Sequence, residues 1–296
     1  MEKTGDMFAG QGAQFPGMGA KLVENSQAAA KVFEQADKVL GYSISDLCFK
    51  ASIEELTPCA VCQPTIFTVS VACFMAYTEA HPDAETAATA GLSLGEYSAA
   101  VAAKVLTFED GLRLIAERGR LMDKCCKEYP GGMAAVLGAD PTAVADICQQ
   151  CDIDVANYNC PGQIVISGVK QGLDKALELL SQQKIRAVPL TVAGAYHSRL
   201  MRAAADEFAK ALEATSFAKP ECPFYQNVTG KQSTNPDEIR ENMRKQVSGS
   251  VHWEDCARGL MTYSQRLVEC GPGTVLSGFM KRIDRSFPAG PAFAAL

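Results

Sequence analysis

The sequence predicts an α/β protein whose main layer is interrupted by a β-α-β-β-α-β segment of the ferredoxin-like split kind. Three observations predict it. A small-residue strand, Ala87-Ala88-Thr89-Ala90, runs into the tight turn Gly91-Leu92-Ser93-Leu94-Gly95 and then into a helix-forming stretch, Glu96 to Lys104. Pro130-Gly131-Gly132 breaks the chain, and strand and helix signals alternate behind it as far as Thr191. From His197 the texture returns to helices and short strands. A chain of 296 residues is short for two full domains. We therefore divide it into a discontinuous core, residues 1–130 and 197–296, and an inserted subdomain, residues 131–196.

From the amino terminus, a short strand ends at Phe8, a Gly-rich loop Gly10-Gln11-Gly12-Ala13-Gln14 follows, and helical periodicity marks stretches near 20 to 40 and 63 to 80. The first strand is polar, with Gly5 and Asp6 where apolar β-formers are expected. A charge in a central strand costs stability, so a frayed edge or an altered terminus is expected there. Thr107 is placed to cap a helix from about Phe108 to Lys127, its hydroxyl accepting from a free first-turn amide. In the insert, strands are expected at Met133 to Gly138, Ile153 to Asn157, Gln163 to Gly168 and Arg186 to Thr191. Its helices fall at Pro141 to Gln150 and Gln171 to Gln183. No internal repeat or low-complexity segment is evident.

Composition narrows the function classes. With 47% hydrophobic and 21% charged residues the chain reads as an ordinary globular protein, and no uninterrupted apolar run reaches the roughly 20 residues that span a bilayer. The segment Met1 to Asp6 is charged and lacks the apolar stretch of a secretory signal, which points to the cytoplasm. A net charge of −6 argues against nucleic acid as the main partner, because phosphate binding wants a clustered basic face. Among twelve cysteines, Cys59 with Cys62 and Cys148 with Cys151 have metal-ligand spacing, yet no glycine-bearing knuckle accompanies either pair. Reduced, mostly buried thiols are the better reading.

Gly91-Leu92-Ser93-Leu94-Gly95 matches the Gly-x-Ser-x-Gly nucleophile elbow, in which flanking glycines let a strand turn sharply into a helix with the serine at the apex. There the helix's free amides face the serine, and the Leu94 amide can donate to an oxyanion. A serine hydroxyl needs a base, and only His81, His197 and His252 can supply one. His81 precedes Pro82 in a polar loop, and His252 beside Trp253 suits a structural position. His197 lies where the insert rejoins the core, a natural cleft, although a packed structural role is equally open to it. By pattern alone, Arg118 reads as a surface arginine paired with Glu117 or Asp110.

The chain resembles the malonyl-CoA:acyl carrier protein transacylase family, with the acyltransferase domains of fatty acid and polyketide synthases. The resemblance is carried by Gly10-Gln11-Gly12-Ala13-Gln14, Gln63-Pro64-Thr65-Ile66, Gly91-Leu92-Ser93-Leu94-Gly95-Glu96-Tyr97, Arg118-Gly119-Arg120-Leu121-Met122, Asn157 to Gly168, His197-Ser198-Arg199-Leu200-Met201, Asn227-Val228-Thr229-Gly230 and Glu269-Cys270-Gly271-Pro272-Gly273, in the family's order. It implies an α/β-hydrolase-like core with the ferredoxin-like insertion. It also implies Ser93 as nucleophile, His197 as general base, and the amides of Gln11 and Leu94 as oxyanion hole. The carbonyl of Gln246 would orient the imidazole without adding a charge that repels a malonyl carboxylate. Arg118 would grip that carboxylate bidentately. Asn159 and Gln163 would line the channel, and Glu96 would be structural.

The resemblance implies a ping-pong transfer of malonyl from malonyl-CoA through an acyl-serine to the phosphopantetheine thiol of a holo acyl carrier protein. It implies no metal or organic cofactor, no membrane partner, and a monomer. Lys281, Arg282 and Arg285 are the candidate basic patch for the acidic carrier, a solvated charged face being the other reading. Two departures bear on the acyl pocket. Leu92 stands where many members carry histidine, and Tyr196 replaces the usual phenylalanine or small residue, which leaves malonyl against methylmalonyl open. Rival readings are a serine esterase or thioesterase, and a non-catalytic carrier-binding partner. The residues do not separate fatty acid from polyketide synthesis.

Overall fold

A computed structural model describes residues 1–293. Its strands are β1 (Glu2–Phe8), β2 (Ala84–Gly91), β3 (Gly132–Leu137), β4 (Asp154–Cys160), β5 (Gln163–Gly168), β6 (Arg186–Pro189), β7 (Tyr225–Gln226), β8 (Lys231–Gln232), β9 (Val251–His252), β10 (Arg266–Cys270) and β11 (Ala289–Pro291). They form a parallel sheet in the order β11-β10-β1-β2, a mixed sheet in the order β6-β3-β5-β4-β9, and the ribbon β7-β8. The parallel sheet is covered on both faces, as such sheets require. Phe8 joins the large core made with helices Gln27–Leu40, Cys59–Ala80, Gly95–Ala102 and Phe108–Glu128. Met7, pointing the other way, joins Trp253, Leu260 and Leu276 of helices Trp253–Met261 and Val275–Ile283.

The polar first strand is not frayed. β1 is central, and Asp6 is buried in it, accepting from the Thr86 hydroxyl at 2.7 Å on β2. Burial pushes its carboxyl up to about 6, which lessens the charge it carries inside the sheet. Gly5 is required by packing: a Cβ there would stand 2.5 Å from Leu267 Cδ2 and 2.8 Å from Ser264 Oγ.

In the mixed sheet, β3 to β6 pair antiparallel over a separate core shared with helices Pro141–Gln150 and Lys170–Gln182. β9, which comes from the returning chain, adds parallel to β4 and ties this sheet to the rest. The expected helix over 20 to 40 is two, Ala20–Asn25 and Gln27–Leu40, because Ser26 leaves the helix and accepts from the Ala29 amide as an N-cap. The next long helix begins at Cys59, earlier than expected: the Asp123 carboxylate accepts from the amides of Cys59 and Ala60 at 2.9 and 2.8 Å. By length and composition this helix could cross a membrane, but 83% of its most apolar window is buried in the protein. Cys59 and Cys62 lie in the large core and Cys148 and Cys151 in the mixed sheet's core, so the two pairs do not converge.

Candidate active site

Ser93 sits at the carboxyl end of β2, in the left-handed region at φ 53°, before helix Gly95–Ala102. Two glycines make the turn possible. A Cβ on Gly91 would lie 1.9 Å from the Gly95 carbonyl oxygen, and one on Gly95 would lie 2.3 Å from that of Phe8. A non-glycine residue in this conformation costs on the order of 1 kcal/mol. Asn227 holds it there: its Oδ1 accepts from the Ser93 amide at 2.6 Å and its Nδ2 donates to the Gly91 carbonyl at 2.8 Å.

His197, buried and also at positive φ, brings Nε2 to 2.7 Å from Ser93 Oγ and Nδ1 to 2.8 Å from the Gln246 carbonyl. A carbonyl only accepts, so Nδ1 carries the proton and the Nε2 lone pair faces the serine. Burial first, and the Arg118 charge second, push the imidazole down to about 4. The other histidines are elsewhere: His81 stacks on Tyr77 and His252 on Tyr158.

Arg118 lies inward on helix Phe108–Glu128, 1% exposed. Its Nη2 donates to Ser93 Oγ at 3.1 Å and to Gln246 Oε1 at 2.9 Å, and its Nη1 to Gln63 Oε1 at 2.7 Å. Tyr97 presents its ring 5.8 Å from the guanidinium carbon. Among the described residues no carboxylate forms a salt bridge with it. The surface pairs are made by its neighbours: Arg113 binds Asp110, and Arg120 binds Glu117 at 2.7 Å. Gly119 lets this helix close on the next, since a Cβ there would meet the Cys59 carbonyl at 2.4 Å.

A cavity of about 450 Å³ opens beside Ser93, lined by Gln11, Leu92, His197, Asn159 and Tyr196, with Met133 and Val165 from the mixed sheet. Among the described residues no acceptor takes the amide of Gln11 or of Leu94. Tyr196 Oη accepts from Cys59 Sγ at 3.1 Å. Asn159 is buried, and among the described residues its Oδ1 has no partner. Gln163 does not line the cavity; it sits half-buried against Cys160. Lys281, Arg282 and Arg285 are at the far end of helix Val275–Ile283 or just beyond it, whereas Val275 and Phe279 of that helix reach the cavity. Arg282 donates to the Gly162 carbonyl at 3.1 Å.

Several participants carry no mark in the sequence alone. Gln63 and Asn227 stand in motifs and Gln246 enters there only through its carbonyl, so only the fold shows what these side chains touch. Glu96 is fully buried and accepts from the Asn227 amide at 2.7 Å, and burial pushes it up to about 7.

A family model described as an acyl transferase domain matches residues 7–277. The malonyl CoA-acyl carrier protein transacylase of Bacillus subtilis (strain 168) is 38% identical over 298 residues, covering 96% of this chain and 92% of its own. The crystal structure of the same-named protein from Clostridium perfringens superposes with a TM-score of 0.94 at 33% identity, covering 100% of this chain and 94% of that one. A malonyl-transacylase solved in complex with its type II polyketide acyl-carrier protein gives a TM-score of 0.91 at 32% identity, covering 98% and 96%.

Proposed function

Because this chain belongs to the acyl transferase domain family, we propose that it moves malonyl from malonyl-CoA to the phosphopantetheine thiol of a holo acyl carrier protein, with Ser93 carrying the group between them. The observation that carries the reading is Arg118: a buried guanidinium with no carboxylate partner among the described residues, 3.1 Å from Ser93 Oγ. A buried charge lacking its counter-ion is costly, and a free malonyl carboxylate supplies the missing anion. A hydrolase of neutral esters has no use for such a group.

In the first half-reaction Ser93 Oγ attacks the thioester carbonyl and His197 Nε2 takes its proton. The oxyanion rests on the amides of Gln11 and Leu94. As the carbon–sulfur bond breaks, His197 returns the proton to the leaving thiolate. The carrier thiol then gives its proton to His197, attacks the acyl-serine and releases the Ser93 hydroxyl. The low basicity of His197 keeps it neutral, hence able to accept, across the physiological range. Each step is supplied by groups of one chain, so the scheme calls on no metal or organic cofactor and on a single protomer. Lys281 and Arg285 would meet the acidic carrier, Arg282 being engaged with Gly162.

We assign the finer architecture as an α/β-hydrolase-like core, residues 1–130 and 197–296, with a ferredoxin-like subdomain over 131–196; residues 294–296 lie outside those described. The β2–elbow–helix unit on a parallel sheet supports the first part, and the antiparallel pairing of β3 to β6 the second. Twelve free thiols, eleven of them buried, suit the cytoplasm.

Intact-mass measurement tests the reading. The protein is incubated with malonyl-, methylmalonyl- or acetyl-CoA and then with holo carrier. A malonyl adduct is expected, absent in Ser93→Ala, about a hundredfold slower to form in Arg118→Ala, and transferred on addition of carrier. No adduct with any donor would sink the proposal, and discharge to water faster than to the carrier would make the protein a thioesterase.

A further inference from the structure

Glu96 follows the elbow directly and is fully buried, with no cation within salt-bridge distance among the described residues. Three donors converge on it instead. The Asn227 amide reaches Oε2 at 2.7 Å, Gln246 Nε2 reaches the same oxygen at 3.2 Å, and Gln226 Nε2 reaches Oε1 at 3.3 Å. Burial pushes Glu96 up to about 7, and above that pH its ionised carboxylate offers acceptors alone, so it suits this ring of donors as no amide could.

The consequence lies with one of these donors, Gln246. Gln246 Nε2 also donates to the Ser93 carbonyl at 2.8 Å and faces Asn227 Oδ1 at 3.3 Å. Among the described residues, the groups that Gln246 Nε2 meets are all acceptors, and the one group that meets its Oε1 is a guanidinium donor, Arg118 Nη2 at 2.9 Å. Turning the amide over would set oxygen against three acceptors and NH₂ against the cation. The orientation of Gln246, and through it the aim of Arg118, is thus set from the Glu96 side. The main-chain oxygen of the same Gln246 holds His197.

We propose that Glu96 is a positioning residue for donor selectivity: its carboxylate fixes the Gln246 side chain, which holds Arg118 where the carboxylate of a malonyl group docks. The proposal rests on the reading of Arg118 as the carboxylate-binding group. It separates Glu96 from a merely structural buried acid, whose loss would slow every donor alike.

The test compares kcat/KM for acyl loading from malonyl-CoA and from acetyl-CoA, which has no carboxylate to dock. In Glu96→Gln an NH₂ group enters a ring of donors, and the malonyl rate is expected to fall about tenfold with acetyl loading within about twofold. Gln246→Met keeps the main-chain carbonyl and removes the amide; it should lower the malonyl-to-acetyl ratio in the same direction and carries the test if Glu96→Gln does not fold. An unchanged ratio in both variants, or an equal fall for both donors, would overturn the proposal. Arg118→Ala runs alongside: if it leaves the ratio unchanged, the carboxylate-docking reading itself fails and this inference fails with it. A ratio lost in Arg118→Ala but kept in the other two removes only the role of Glu96.

Discussion

On the side of the cavity built at the end of the parallel sheet, the reactive groups are already bonded to one another: Ser93 Oγ to His197, His197 to the Gln246 carbonyl, and Arg118 to Ser93, Gln63 and Gln246. The side built by the mixed sheet is different. Met133 and Val165 offer no polar side chain, and Asn159 holds a buried carbonyl oxygen without a partner. The first wall needs no reorganisation to begin chemistry, which is where preorganised dipoles act most strongly. The second keeps hydrogen-bonding capacity in reserve for a substrate. Damage to the first wall should therefore cost far more than damage to the second.

The largest effect is expected where the first wall has no slack. Gly95→Ala puts a methyl 2.3 Å from the Phe8 carbonyl oxygen, a backbone atom fixed in the central strand. The cost should be on the order of 4 kcal/mol, and both the thermal midpoint and the reactivity of Ser93 should fall together. A folded Gly95→Ala protein that still loads acyl groups would show that the elbow tolerates movement, and the contrast between the walls would lose its basis.

Next in size is a pH effect that only the first wall can produce. His197 must be neutral to take the serine proton, and its affinity for a proton is pushed from 6.5 down to about 4 by burial and by Arg118. Protonation at lower pH removes the base, so Ser93 reactivity should stay level on acidification until it is halved near pH 4, not near 6.5. A neutral fluorophosphonate probe reads this without calling on carboxylate docking. In Arg118→Met one cause of the depression is gone, so the acid limb should move upward. A limb that stays in place would assign the whole depression to burial.

The same contrast explains what was legible in the sequence. Gly91, Ser93 and Gly95 belong to one local turn of five residues, and the need for Gly91 is met inside that turn, although Gly95 is required by the Phe8 carbonyl of the neighbouring strand. Arg118-Gly119-Arg120 encodes an inward charge, a close helix contact and an outward ion pair on adjacent positions, but the inward one looks like a surface arginine until the helix is packed. Other parts depend on distant chain. Asn227 meets Ser93 across 134 positions, and Asp123 starts the helix at Cys59 from 64 positions downstream. Asp6 misleads for a related reason, since the hydroxyl that receives it is on Thr86 in the neighbouring strand. Local periodicity reports local geometry; caps and partners brought by tertiary packing leave no periodic trace.

The smallest effect is expected on the second wall. Asn159 lies on β4, a strand of the mixed sheet, and its Oδ1 is one of few buried polar atoms there without a partner. If that oxygen accepts from a bound donor, removing it deletes one hydrogen bond, worth about 1 kcal/mol. Asn159→Ala should then lower kcat/KM for malonyl-CoA about fivefold, through KM, with the acid limb unmoved. Gln163, four positions further on at the start of β5 and outside the cavity, should be silent as alanine. A loss in Asn159→Ala as deep as that of Arg118→Ala would place the second wall in the reacting machinery and erase the distinction between the two.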